Sequence, residues 1–452
     1  MSTTNTCAAL HGPKDLRIEE RPYQAPRGNE VQVRVRATGL CGSDAHYYVH
    51  GRNGDFALQH PMCLGHESAG EIVAIGSQVP EGLYKVGDRV AIEAGMYCGN
   101  CARCKEGRYN LCPKMRFASS AKTHPHLDGT LQKFINWPHW LVHPIPSSVS
   151  LTSAALVEPL SVVIQGLRRS KLEAGQSVLV LGAGAVGLLA CAAAKASGAS
   201  YVAAVDIDEG RLSFARDNGW ADATYHLRPR SPPIAKKAQE EEGGAERVQD
   251  PRARRAQEDK EMIDSSMKSA QDLLEDLIGR DLEKDESESG PDQYPSAPAP
   301  TSLREGFDVT FECTGVPSCV QMGIFATRPG GKEVLIGMGT PIQTLPIGAA
   351  ALREVDILGV FRYASTYPVA LGMLAGGALR ACGGGRHAGT SSNAQDQQEG
   401  KAQGRKMGGI ENLVSHKYPL TKAIEAFETL TKGKDAETGR GVVKVFIVDE
   451  QP

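Results

Sequence analysis

The chain has 452 residues, 41% of them hydrophobic and 23% charged, with a formal net charge of −3. That length allows two or three domains, and a charge so near neutral gives no strong pull toward nucleic acid or an anionic membrane. No apolar run reaches the roughly 18 residues of a membrane span, so none is expected. Residues 1–9 are polar and carry neither the basic and apolar regions of a secretion signal nor the Arg-rich bias of a transit peptide, so a cytoplasmic setting is expected. Of eleven cysteines, four crowd into 98–112 and the rest are scattered. An odd, clustered set in a chain this long reads as metal ligands plus buried thiols in a reducing compartment, not as a disulfide framework.

In chain order, residues 1–155 hold short alternating runs broken by glycine, such as 30–36, 70–75 and 88–92, which predict a β-rich region with irregular loops. From 155 to 360, apolar runs at 177–181, 201–205, 308–312 and 333–336 alternate with helical stretches, the pattern of βαβ units and a parallel sheet. Residues 420–430 have helical periodicity and 441–448 read as a closing strand. Two stretches break this order. Residues 228–304 are rich in Lys, Arg, Glu, Ser and Pro, and 383–408 are rich in Gly, Gln and Ser. Both read as largely disordered surface insertions, with one short amphipathic helix expected over 267–278. The first could alter subunit packing or bind a partner; it could equally be inert low complexity or retained intron sequence. The basic patch at 252–255 is surrounded by acidic residues, which argues against a nucleic-acid role.

Three signals carry chemistry. Cys98, Cys101, Cys104 and Cys112 are spaced to close a tetrahedron of thiolates around zinc. Four cysteines also suit an iron–sulfur cluster, but the lobe between them is small, polar and glycine-bearing, as in a surface zinc lobe. Next, Gly182-Ala-Gly184-Ala-Val186-Gly187 follows an apolar strand and opens a helical run, the setting in which such glycines accommodate a pyrophosphate. Asp206, about twenty residues on, would accept bonds from the adenosine ribose and repel a 2′-phosphate, which favours NAD over NADP. Arg211 nearby leaves some NADP use open. The third signal is dispersed: Cys41-Gly-Ser43-Asp-Ala-His46, then Gly65-His66-Glu67, then Glu158. Alone, Cys41 reads as a buried thiol and His66 as a structural histidine.

With these blocks in place, and with 86–93, 107–111, 312–315 and 353–363 in the same order, the chain resembles the zinc-containing medium-chain alcohol dehydrogenases, within them the sorbitol, xylitol and L-arabinitol (polyol) dehydrogenase group. The likeness covers about three quarters of the chain, everything but the two insertions. It implies an α/β protein: a GroES-like β-rich catalytic domain plus a Rossmann domain with a doubly wound parallel sheet. The implied boundaries are 1–160 for the first part of the catalytic domain, with the zinc lobe at 96–113, then 161–360 for the cofactor domain, and 361–452 for the return to the catalytic domain.

The resemblance also implies two zinc ions per subunit and NAD. Cys41, His66 and Glu67 are implied as catalytic zinc ligands, with Glu158 binding the zinc-held water or filling the fourth position. Glu158 stands where liver-type enzymes have a cysteine, which points to the polyol branch. Ser43 and His46 are implied as a proton relay, and Asp44 as structural. Ile336, Gly337, Met338, Val360 and Phe361 would meet the nicotinamide end of NAD. Tyr47, Phe117, Ser120, Arg362 and Tyr363 would read the substrate, a small polyol oxidised to a ketose. A homotetramer or homodimer is expected. A threonine or other secondary-alcohol dehydrogenase is the neighbouring alternative, and a non-catalytic homologue the remote one.

Overall fold

The computed structural model describes residues 4–228, 251–282, 301–379, 409–434 and 441–449. Two sheets dominate it. The first is a seven-stranded, mostly antiparallel sheet. Its path runs Val142–Pro144, Arg89–Ile92, Glu67–Ile75, Glu30–Gly39, Lys444–Val448 and Val414–Tyr418, with Phe134–Pro138 also paired to Glu30–Gly39. Strands from both ends of the chain therefore meet in one sheet, where Phe446 pairs with Gly39 and Val448 with Ala37.

The second sheet has six parallel strands in the order Ala223–His226, Tyr201–Asp206, Ser177–Leu181, Phe307–Glu312, Thr327–Leu335 and Asp356–Gly359. Every residue of Ser177–Leu181 and of Tyr201–Asp206 is buried, as expected for parallel strands covered on both faces. This strand order reverses direction between Ser177–Leu181 and Phe307–Glu312, which opens a crevice at their carboxyl ends.

The helix Val157–Ser170 joins the two halves. Val157, Leu160, Val163 and Ile164 fall on one face and sink into a core that also takes Val31, Ile72 and Trp137 from the first sheet and Val178, Val180 and Phe311 from the second. The same helix presents Glu158 in its first turn and Arg168 in its last. Among the described residues, no helix is long and apolar enough to cross a membrane.

One expectation fails. The stretch read as a disordered insertion with a short helix instead carries a single helix over Pro251–Leu282. Ala270, Leu273 and Leu277 are buried against Tyr201, Leu303, Phe307 and Met322, so this helix covers one face of the parallel sheet between two of its strands. Burial of each leucine stabilises by about 1.5–3 kcal/mol. The exposed first turns of this helix are supported by the i,i+4 contacts Arg254–Glu258 and Gln257–Glu261. Charge density resembled that of a disordered segment because only one face of the helix is apolar. The flanks at 229–250 and 283–300, and the expected insertion at 383–408, lie outside the described residues.

Candidate active site

The glycine motif forms the turn its spacing predicts. Gly182 has φ +92°, a conformation open to glycine, and a Cβ on Gly187 would meet the Gly182 carbonyl oxygen at 1.7 Å. Gly184 caps the helix Ala185–Ala196, and a Cβ there would meet nothing within 4 Å. Val186 is half-buried in that helix's first turn. Asp206 closes the neighbouring strand and accepts bonds from the backbone N–H of Ala183 at 2.6 Å and of Asp208 at 2.9 Å. Arg211 lies in the following helical turn, its N–H donated to Asp208. On the other side of the crevice, the N–H groups of Ile336 and Gly337 both donate to the Glu312 carbonyl at 2.9 Å. The Glu312 carboxylate accepts from Thr314 and Gly315. Met338 and Phe361 are exposed at 64% and 41%, with Val360 half-buried beside them.

Cys41, His66 and Glu67 come together: one ligand atom from each lies within 4.8 Å of the others. Cys41 caps the helix Gly42–His50, and Glu67 begins the strand Glu67–Ile75. Asp44 is fully buried behind them. Its carboxylate accepts from Ser119 Oγ at 2.6 Å and from the backbone N–H of Cys41 and Gly65, and it lies 3.3 Å from His66 Nδ1, off the line of a hydrogen bond. Glu67 receives Lys444 Nζ at 2.6 Å, both side chains being buried. Glu158 stands outside the three-residue group. It faces His66, Glu67 and Tyr363, and burial pushes its carboxyl up to about 7. Glu158 is thus a buried neighbour of the three-residue group.

The expected substrate residues converge on the same place. The Arg362 guanidinium stacks on Phe117 at 3.6 Å, and the Phe117 ring lies 5.5 Å from His66. Arg362 Nη1 is buried without a hydrogen-bond partner. Burial, partly offset by Tyr363, Glu158 and Tyr47, lowers its pKa to about 10. The Tyr363 hydroxyl is buried near Glu158 without a hydrogen bond of normal geometry. Tyr47 is buried and its hydroxyl accepts the N–H of Ala121, beside the buried Ser120. Ser43 is half-buried and His46 exposed on the helix Gly42–His50.

The four lobe cysteines also close up, all ligand atoms within 4.8 Å, with sulfur–sulfur distances of 3.5 Å for Cys101–Cys104 and 4.0 Å for Cys98–Cys104. A zinc tetrahedron with bonds of about 2.3 Å has edges of about 3.8 Å.

Residues 27–147 match the alcohol dehydrogenase GroES-like domain, and residues 297–376 match the zinc-binding dehydrogenase domain. Sorbitol dehydrogenase of Bos taurus is 37% identical over 95% of this chain and 94% of its own length. The Homo sapiens enzyme is 36% identical over 95% and 93%. This chain belongs to the zinc-containing medium-chain dehydrogenases. Among solved structures, L-idonate 5-dehydrogenase of Escherichia coli superposes with a TM-score of 0.70 at 24% identity, covering 99% of each chain, so the shared fold extends over both sheets of this dehydrogenase.

The residues fit the groups the family carries. A thiol, an imidazole and a carboxylate make a zinc donor set, and buried polar atoms of His66 and Glu67 lack hydrogen bonds. The open space over Gly184 at a helix N-terminus fits a dinucleotide pyrophosphate. Beside the site of this dehydrogenase stand residues to which the sequence assigned no role. Lys444 is the one charged side chain in an apolar strand, which was its only signal. Ser119 gave none, since polar residues in loops are ordinary, and Asn110 stood within the block 107–111 with no role of its own.

Proposed function

We propose that this dehydrogenase oxidises a sugar alcohol, such as sorbitol, xylitol or L-arabinitol, to the ketose with NAD as acceptor. The observation that carries this is the buried, unpaired guanidinium nitrogen of Arg362 beside Tyr47, Tyr363 and Glu158, next to the metal-binding group. A site with several fixed polar groups suits a chain of hydroxyls, since a simple apolar alcohol would leave them unsatisfied. The similarity to sorbitol dehydrogenases supports the same reading.

Cys41, His66 and Glu67 hold the catalytic zinc in this proposal, and Cys98, Cys101, Cys104 and Cys112 the structural one. Bound zinc supplies positive charge that makes a hydroxyl in contact with it easier to deprotonate, and bound NAD accepts the hydride. Asp44 fixes the His66 ring. Glu158 holds a water or the substrate hydroxyl against the site. Ser43 passes the proton outward to His46, whose exposed ring delivers it to solvent. Gly182, Gly184, Val186 and Gly187 cradle the pyrophosphate, and Asp206 takes the ribose, with Arg211 close by. Ile336, Gly337, Met338, Val360 and Phe361 line the nicotinamide side. Phe117, under the Arg362 guanidinium, lines the substrate space together with Ser120, Tyr47 and Tyr363.

Assembly as a homodimer or homotetramer is supported by exposed apolar side chains in the segment that leads into the edge strand Asp356–Gly359, where Ile347 and Leu352 are 54% and 90% exposed. Ten free cysteines among the described residues suit a reducing, cytoplasmic setting.

The test is NADH formation with sorbitol, xylitol, L-arabinitol, threonine and ethanol, each with NAD and NADP, before and after a zinc chelator. Chelator-sensitive turnover of a polyol with NAD supports the proposal. Turnover of threonine or ethanol alone moves the enzyme to another branch.

A further inference from the structure

The turn that carries Arg362 is held from outside by the cysteine lobe. Two of its residues, Arg362 at φ 50° and Ser365 at φ 54°, sit in the left-handed region that side chains avoid. Such conformations persist where the surroundings over-determine them. Here they do. Asn110 Nδ2 donates to the Phe361 carbonyl at 2.8 Å, and Asn110 is buried. The Ser365 N–H donates to the Tyr109 hydroxyl at 2.6 Å, and that hydroxyl donates to Glu93 at 2.7 Å. Arg168, at the end of the helix that begins with Glu158, donates to the carbonyls of Ala364 at 2.9 Å and Ser365 at 3.1 Å.

The Asn110 bond has the most direct effect on the guanidinium. The Phe361 carbonyl lies in the peptide plane from which the φ of Arg362 is measured. Pinning that oxygen fixes the plane, and the remaining rotation is set by the stack of the guanidinium on Phe117. Tyr109 and Asn110 both belong to the short turn Tyr109–Leu111, which leads directly into Cys112. The lobe closed by four cysteines is thus tied to the turn bearing the substrate-side arginine by two hydrogen bonds.

We propose that Asn110 is a positioning residue for substrate recognition: through the Phe361 carbonyl it sets where Arg362 meets the hydroxyls of the substrate remote from the reacting carbon. The cysteine lobe is then a specificity element as well as a local staple. This rests on the polyol reading above.

The test uses the full-length, zinc-loaded enzyme with Asn110→Ala and with Asn110→Asp, which keeps the volume and removes the donor. Loss of a hydrogen bond that orients a charged group is worth about ten- to a hundredfold in affinity. The expected result is a KM for polyols raised about ten- to a hundredfold with kcat changed less than about threefold. The KM for 2,3-butanediol, which has no hydroxyl beyond the carbon next to the reacting one, should stay as in the unmodified enzyme. Amide exchange at 361–366 should speed up while zinc content is unchanged. Equal rises in KM for polyol and butanediol, wild-type behaviour of Asn110→Asp, or unchanged exchange at 361–366 would each overturn the proposal. If the unmodified enzyme turns over no polyol, the substrate reading fails by itself, and the exchange measurement still decides whether Asn110 holds the turn.

Discussion

Glu333 should make the enzyme less stable as pH rises, and its amide variant should remove the effect. The residue sits on the strand Thr327–Leu335 with no exposure, and neither carboxylate oxygen has a hydrogen-bond partner. Burial, with the neighbouring Glu312 carboxylate, pushes its pKa up from 4.5 to about 9. The folded state therefore keeps a proton that the unfolded chain releases. Its contribution to stability is unpenalised below about pH 4.5, declines as pH rises from there, and levels off above about 9. The slope cannot exceed ~1.4 kcal/mol per pH unit. The full shift corresponds to ~6 kcal/mol, and relaxation with water entry should reduce this to about 2–4 kcal/mol. Glu333→Gln keeps the shape and does not titrate. Urea unfolding of both proteins at pH 5.5, 7 and 8.5, at fixed protein and zinc concentration, gives the difference directly. The variant's advantage should be about 1.4 kcal/mol at pH 5.5 and larger at pH 7, with any further gain by pH 8.5 limited by where the folded-state titration ends. A difference independent of pH would refute the argument.

Three further outcomes follow from the geometry. Leu273→Ala, in the long helix against the parallel sheet, should destabilise by about 2–5 kcal/mol in denaturant unfolding, whereas Arg254→Ala on its exposed turns should stay within about 0.5 kcal/mol; equal effects would mean that the helix does not pack there. Asp206→Ala removes an acceptor for the Ala183 N–H and for the ribose, so the KM for NAD should rise about ten- to a hundredfold while NADP loses less; parallel losses in steady-state kinetics would count against the ribose contact. Asp44→Asn weakens the support of His66 and should lower zinc occupancy or kcat about ten- to a hundredfold, read by metal analysis alongside turnover; full occupancy with unchanged kcat would dismiss it.

The parts of the site legible in the sequence were those whose chemistry is local. Cys98, Cys101, Cys104 and Cys112 lie within one lobe, and Gly182 to Gly187 within one turn, so spacing alone specifies their geometry. Cys41 and His66 are far apart along the chain, and only the ordered series of family blocks joined them. Lys444 reaches Glu67 across 377 residues, because the first and last strands of the catalytic sheet are neighbours. No local pattern records such a pairing. Asn110 was visible within a motif block, but its partner is a backbone carbonyl at 361, and backbone carbonyls carry no sequence signal. The helix Pro251–Leu282 was underestimated because its three buried apolar residues are diluted by charge over many turns.

The pairing of Lys444 with Glu67 also sets an order of events during synthesis. Cys41, His66 and Glu67 emerge well before the cation that compensates Glu67, which lies 377 residues further along the chain. Until the strand Lys444–Val448 docks, residues 37–39 of the strand Glu30–Gly39 lack their partner strand and the Glu67 carboxylate lacks its counter-charge. Burying that carboxylate alone would be costly. Final packing around Glu67 is therefore coupled, through one lysine, to the docking of the strand Lys444–Val448.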